Sequence, residues 1–262
     1  ATAIASGLKA TRPELSVWIV TGDGDSMSIG GNHLIHLLRR NFNVQILLFN
    51  NQIYGLTKGQ DSATADHGSK SKAGSVNPYE SIDLAGLALE LGATFVAQSF
   101  SGDKSQLVPL IKAAMNHPGF AFINVISPCV TFNNNLGSTK SYDYVREHVE
   151  ATATVDFVPQ MKEITTSYDH GTSKQVSMHD GSIIQLQKLA KDWDPENRQS
   201  AMNAMHQAKQ KGEILTGLLY VNPDTSDLHH ILNTIDQPLN DLKEAALCPG
   251  NKVLQEINAG FR

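Results

Sequence analysis

The stretch that most restricts how this chain can fold runs from Val17 to Gln60, VWIVTGDGDSMSIGGNHLIHLLRRNFNVQILLFNNQIYGLTKGQ. An apolar run, Val17 to Val20, is ended by Thr21-Gly22-Asp23-Gly24-Asp25. A helical stretch follows, and a second apolar run, Gln45 to Phe49, ends at Asn50-Asn51. This is a strand–turn–helix–strand unit, and its crossover leaves the C-terminal ends of both strands at one edge of a parallel sheet.

The polar residues at that edge have a chemistry. Gly-Asp-Gly-Asp reads as a turn whose glycines permit unusual φ and close backbone approach. Asp23 offers a carboxylate and Asn51 a side-chain carbonyl, both hard oxygen donors at the ends of neighbouring strands. Together with a backbone carbonyl they suit Mg²⁺, which takes few protein ligands and completes its octahedron with water and phosphate oxygens. The N-terminus of the following helix faces the same edge and favours anions. Taken alone, Gly-Asp-Gly is also an ordinary turn and Asn-Asn an ordinary strand exit. The pair in matched strand contexts is what points to a Mg²⁺–diphosphate site.

The rest of the first half continues the pattern. A helix is expected over Ile29–Arg40, with Leu34, Ile35, Leu37 and Leu38 as its buried stripe. Arg39 and Arg40 suit its negative pole. His33 and His36 lie in it, as packing residues or as a proton donor near phosphate. From Ile53 to Glu80 the chain is polar and reads as an irregular loop that covers the site, since loops of that length are usually functional. Lys58 in it reads as a solvated lysine or as a charge that recognises a substrate carboxylate.

Then come a helix over Asp83–Leu91 closed by Gly92, a strand at Thr94–Ala97, a helix over Asp103–Asn116 closed before Pro118, and a strand at Ala121–Ile126. Strands and helices in that alternation predict an α/β fold with a doubly wound parallel sheet over residues 1–137.

Residues 138–262 are expected to form an α+β extension that packs on this domain and on a partner subunit. It begins with a polar stretch holding Tyr142, Tyr144, Val145, Arg146 and His148. His170-Gly171 and His179-Asp180-Gly181 mark turns. A short strand is expected at Val176–Met178, a helix at Pro195–Lys211 with Pro195 in its first turn, and a strand at Leu215–Val221. Helices follow near Asp227–Ile235 and from Val253. His229-His230 is a tempting metal pair, but adjacent helical positions diverge, so both read as surface residues.

Composition narrows the function. With 21 basic and 26 acidic residues the net charge is -5, which argues against a nucleic-acid binder. No apolar run approaches the roughly 18–20 residues of a membrane span. The two cysteines, Cys129 and Cys248, exclude a disulfide framework and point to the cytoplasm. The glycines do not form Gly-x-Gly-x-x-Gly, and no ribose-binding acid is evident, so a dinucleotide-binding domain is a weak reading. The first residues, ATAIASGLKATRPEL, lack Met and begin in mid-helix, as expected of a truncated or processed chain.

Gly-Asp-Gly followed at a distance by Asn-Asn resembles the thiamine-diphosphate motif. The longer segments GDGDSMSIGGNHLIHLLRRN, FNNQIYGLTKGQ and SPCVTFNN resemble the β subunit of 2-oxoacid:ferredoxin oxidoreductases, especially the 2-oxoglutarate type. The resemblance runs in order over the first half of the chain. It implies that Asp23, Asn51 and the carbonyl of Ile53 bind Mg²⁺, and that Gly22, Gly24, Asp25, Gly55, Leu56 and Thr57 contact thiamine diphosphate. It also implies that Lys58 recognises the 2-oxoacid. Cys129, by itself more often a buried apolar residue, would be one of four ligands of a [4Fe–4S] cluster. The other three belong to an N-terminal segment that the family carries ahead of this stretch.

The function implied is oxidative decarboxylation of a 2-oxoacid to acyl-CoA and CO₂, with electrons to ferredoxin. No residue here is a convincing activator of the aminopyrimidine ring, so a partner α subunit is implied. Two other readings stay open: a non-oxidative thiamine-diphosphate decarboxylase or synthase subunit, and an assembly subunit that has lost catalysis.

Overall fold

A computed structural model of the chain describes residues 1–69, 74–127, 164–177, 183–248 and 250–261. Its centre is a sheet of seven strands in the order β1-β2-β6-β5-β9-β8-β7. The strands are β1 (Trp18–Gly22), β2 (Gln45–Asn50), β5 (Phe95–Phe100), β6 (Ala121–Ile126), β7 (Ser173–Ser177), β8 (Ile183–Lys188) and β9 (Glu213–Val221). Strands β3 (Ile53–Tyr54) and β4 (Gln60–Asp61) form a separate hairpin.

The doubly wound expectation holds for β1, β2, β6 and β5, all parallel. Beyond β5 the sheet is mixed. Strand β9 pairs with β5 antiparallel, β8 runs parallel to β9, and β7 pairs with β8 antiparallel. The expected division at residues 137 and 138 falls outside the described residues. What the structure adds is that Ser173–Ser177, Ile183–Lys188 and Glu213–Val221 lengthen the same sheet and do not form a layer of their own.

Helices lie on both faces. On one, α1 (Thr2–Thr11), α2 (Gly31–Arg39), α3 (Leu84–Glu90) and α5 (Arg198–Lys211) bury Ala5, Leu34, Leu37, Leu38, Leu84, Leu89, Ala201 and Met205 against Ile19, Ile46, Val96, Phe122 and Leu219. On the other, Leu107, Leu110, Ile111 and Ala114 of α4 (Lys104–Met115) pack on Phe95, Ala97, Ile123, Val125 and Leu218.

The consecutive apolar residues Val17 to Val20 suit a strand buried on both faces, as in a parallel core. Strand β1 is instead the edge strand. Its residues alternate, with Ile19 and Thr21 buried and Val20 65% exposed. An edge strand covered by helices on one face alone has this period of two.

Local signals account for most element ends. Asp83 and Asp103 cap α3 and α4, accepting from the backbone N–H of Gly86 and Gln106. Gly92, at φ +90°, closes α3: its N–H donates to the Leu89 carbonyl, and that of Ala93 to Ala88. Helix α5 starts at Arg198 and not at Pro195, because the Asn197 side chain caps it through Ser200 N–H. Strand β5 is longer than expected and buried along its whole length.

Two polar clusters bind the second half to the first. At the edge opposite the turn, Asn41 accepts from Thr94 Oγ1 and Phe120 N–H and donates to Thr225 Oγ1 and the Ser226 carbonyl. Thr94 also meets His117 Nε2 at 2.8 Å, and burial lowers His117 from 6.5 to about 4. Near the end of β5, Lys188 of β8 pairs with the buried Asp103 carboxylate at 3.0 Å and lies over the Tyr168 ring.

The chain ends in helices α6 (Leu228–Leu232), α7 (Glu244–Leu247) and α8 (Gly250–Ala259). In α6, His229 and His230 diverge as expected: His229 bonds the Lys9 carbonyl and Thr234, and His230 bonds Asp227. Among the described residues no helix is long and apolar enough to cross a membrane.

Candidate functional site

Strand β1 runs two residues further than the apolar run, because Thr21 and Gly22 keep their register with Leu48 and Phe49 of β2. The turn is then no loose loop. Asp23 already has helical backbone angles, φ -64° and ψ -41°, and Gly24–Ile29 continue as a π-helix, closed by Gly30 N–H donating to the Asp25 carbonyl. Neither Gly22 nor Gly24 takes a positive φ, contrary to expectation. Gly24 is required for closeness instead: a Cβ there would stand 2.5 Å from the Tyr54 ring, whose hydroxyl donates to the Gly24 carbonyl. Short π-helical segments recur at functional sites.

Asp23 is 1% exposed. Its Oδ1 accepts from Asn51 N–H at 3.2 Å, which places the ends of β1 and β2 side by side. Its Oδ2 accepts from the hydroxyls of Ser62 and, at 2.6 Å, Thr64. Thr64 Oγ1 also lies 3.1 Å from Asn50 Oδ1. The Asn51 side-chain oxygen accepts from Ile53 N–H at 3.1 Å.

No lysine, arginine or histidine among the described residues pairs with Asp23. A buried charge is ordinarily paired or bound to metal. The acid, the Asn51 and Asn50 amide oxygens, and the nearby hydroxyls form an all-oxygen set that suits Mg²⁺, so these residues fit that ion. Among the described residues there is no cluster of three or more His, Cys, Asp or Glu.

Of the other expected contacts, Gly22, Gly24 and Asp25 flank this acid along the chain. Gly22 is half-buried at the end of β1, and the Asp25 carboxylate accepts from Thr21 Oγ1 at 2.8 Å. The stretch expected to be irregular contains the β3–β4 hairpin, with Ile53 opposite Asp61 and Tyr54 opposite Gln60. Gly55, Leu56, Thr57 and Lys58 form its tip. Leu56 is 98% exposed, Thr57 bonds Gln60, and Lys58 is exposed at φ +78°, a left-handed conformation unusual for lysine. The tip residues share no hydrogen bond with Asp23 among the described residues.

His33 and His36 are both exposed on α2. Cys129 lies outside the described residues, and Cys248 is exposed. Ser62, Thr64 and Tyr54 were not singled out from sequence; nothing in a polar run marks two hydroxyls as partners of an acid some forty positions earlier.

Residues 1–125 match the model of the thiamine pyrophosphate enzyme C-terminal, TPP-binding domain. The chain is 48% identical over 151 residues to the 2-oxoglutarate oxidoreductase subunit KorB of Mycobacterium tuberculosis, covering 56% of this chain and 38% of that protein. It is 42% identical over 149 residues to the 2-oxoglutarate synthase subunit KorB of Methanocaldococcus jannaschii, covering 55% and 54%. It thus spans about half or less of the length of these curated relatives. A solved structure, the 2-oxoglutarate:ferredoxin oxidoreductase from Magnetococcus marinus with 2-oxoglutarate, coenzyme A and succinyl-CoA bound, superposes with a TM-score of 0.65 at 30% identity, covering 90% of this chain and 68% of that one.

Proposed function

The chain belongs to the 2-oxoacid:ferredoxin oxidoreductase family, among its β subunits, and from that premise we propose that it holds Mg²⁺ and thiamine diphosphate for the oxidation of a 2-oxoacid, 2-oxoglutarate first, to CO₂ and an acyl-CoA, with ferredoxin as electron acceptor. The observation that carries this reading is the buried Asp23 carboxylate beside Asn51 at adjacent strand ends, with no side-chain cation to balance it among the described residues.

When bound, thiamine diphosphate supplies the carbanion stabilisation that loss of CO₂ requires. The chain's own residues hold and exclude. Asp23, the Asn51 side chain and the Ile53 carbonyl would grip the ion. The backbone at Gly22, Gly24 and Asp25 would border the diphosphate, and Gly55, Leu56 and Thr57 would close over it. Lys58, at the hairpin tip, would meet the substrate carboxylate as a point charge. The aminopyrimidine side falls to an α subunit.

The two cysteines of this chain cannot by themselves supply the four thiolates of a [4Fe–4S] cluster. The expected role of Cys129 therefore depends on ligands beyond these 262 residues.

The test is an assay of the purified complex for CoA-dependent, viologen-reducing oxidation of several 2-oxoacids, with Asp23→Ala and Asn51→Ala beside the unsubstituted enzyme. Both substitutions are expected to abolish turnover and leave the fold intact. Unchanged turnover in either would remove the site. Release of CO₂ without viologen reduction would favour a non-oxidative decarboxylase.

A further inference from the structure

One carboxylate holds both feet of the hairpin that presents Lys58. The chain enters the hairpin at Asn51, whose N–H donates to Asp23 Oδ1, and leaves it at Ser62 and Thr64, whose hydroxyls donate to Asp23 Oδ2. The two feet are also joined to each other, by Ser62 N–H donating to the Gln52 carbonyl at 3.1 Å and by the Ile53–Asp61 and Tyr54–Gln60 pairs. Both hydroxyls are buried. They are satisfied only within this cluster, at 3.0 Å from each other and, for Thr64, 3.1 Å from Asn50 Oδ1.

We propose that Ser62 and Thr64 are positioning residues that fix the Asp23 carboxylate for a divalent cation and, through the same bonds, tie the placement of the Lys58 hairpin to occupancy of that cation site. The inference rests on the Mg²⁺–diphosphate reading above and deepens it. With two hydroxyls on Oδ2, the carboxylate cannot rotate freely, while Oδ1 carries the single N–H of Asn51 and keeps a lone pair for an ion. Partners of this kind orient a metal ligand, and their loss typically costs about 10- to 100-fold in metal affinity. Because the hydroxyls belong to the outgoing foot of the hairpin, any change at the carboxylate is felt four to six residues from Lys58. The tip itself leans on this footing: Gly59 N–H donates to the Tyr54 carbonyl, and Lys58 and Gly59 both sit at positive φ.

The experiment uses the assembled enzyme. Thiamine diphosphate binding is titrated by calorimetry at increasing Mg²⁺, and hydrogen exchange is followed over residues 53–61, for the unsubstituted enzyme, Ser62→Ala, Thr64→Val and Thr64→Ser. Thr64→Val keeps the shape and removes the hydroxyl; Thr64→Ser keeps the hydroxyl. The expected result is an apparent Mg²⁺ dissociation constant raised about 10- to 100-fold in Ser62→Ala and Thr64→Val. Thr64→Ser should lie near the unsubstituted value, and excess Mg²⁺ should recover diphosphate binding. Slowing of exchange in the hairpin on adding Mg²⁺ and thiamine diphosphate should be lost in Thr64→Val. Folded Ser62→Ala and Thr64→Val proteins with an unshifted Mg²⁺ constant would overturn the proposal, as would equal losses in Thr64→Val and Thr64→Ser. Failure of the unsubstituted enzyme to bind Mg²⁺ and thiamine diphosphate is a separate result, which overturns the underlying site and this proposal with it.

Discussion

At the scale of single residues, the site is governed by closeness as much as by charge. Gly24 and Tyr54 show this. The Tyr54 ring occupies the space a side chain at 24 would need, 2.5 Å from an added Cβ. Gly24→Ala must therefore push the ring and break its hydroxyl bond to the Gly24 carbonyl. Overpacking of this kind typically costs about 1–3 kcal/mol. Thermal melts should show Gly24→Ala destabilised and Gly24→Ala/Tyr54→Ala closer to Tyr54→Ala alone; strictly additive losses would remove the steric account. Lys58 makes a different claim. As an exposed charge on a hairpin tip, it should matter for a substrate with a second carboxylate more than for one without. Lys58→Ala is expected to reduce kcat/KM for 2-oxoglutarate more than for pyruvate. Equal losses on both would take Lys58 out of substrate selection.

At the scale of elements, burial gives the fold a pH limit. His117 follows α4 and touches Thr94 at the start of β5, away from the Asp23 site. Its folded value, about 4, lies below the ordinary 6.5 because burial disfavours the imidazolium. The unfolded chain therefore takes up this proton first as pH falls. The stability tied to neutral His117 is present above about pH 6.5, is lost progressively between 6.5 and 4, and changes no further below that. The full loss is roughly 3 kcal/mol. Urea midpoints at pH 7.5 and 4.5 should fall further apart in the unsubstituted protein than in His117→Gln; parallel slopes would show that another group sets the limit. The elements themselves were largely legible. Capping acids at 83 and 103 and the glycine at 92 carry their own signals. The π-helix at Gly24–Ile29 does not, because six residues hold too little periodicity to separate it from the start of α2. The β3–β4 hairpin was hidden by composition: its polar residues are held by backbone pairing and by Asp23, not by apolar burial.

At the scale of the whole molecule, strand direction is what the sequence leaves open. Leu215–Val221 reads as a strand, yet nothing in its apolar pattern tells that β9 runs against β5 and not with it. That choice follows from the route the chain takes to reach β5, which is a tertiary fact. It also bears on how the molecule divides. The β9 edge completes a strand whose six residues are all buried, and Leu186, Leu189, Met205, Leu215 and Leu219 are buried from the same half of the chain. Each such side chain is worth roughly 1.5–3 kcal/mol of burial, against a net stability of about 5–15 kcal/mol for a whole domain. A chain ended at Ser177 would lose all five and leave β5 as an open, apolar edge of the kind that pairs with other molecules. Such a truncation is expected to aggregate or unfold, and to take diphosphate binding with it, although residues 1–125 alone match the thiamine pyrophosphate domain. Size-exclusion chromatography and circular dichroism decide the matter. A monodisperse, cooperatively melting truncation would show that the second half is a separable appendage. An aggregating one, rescued when residues 183–261 are supplied in trans, would show that the sheet needs both halves to close.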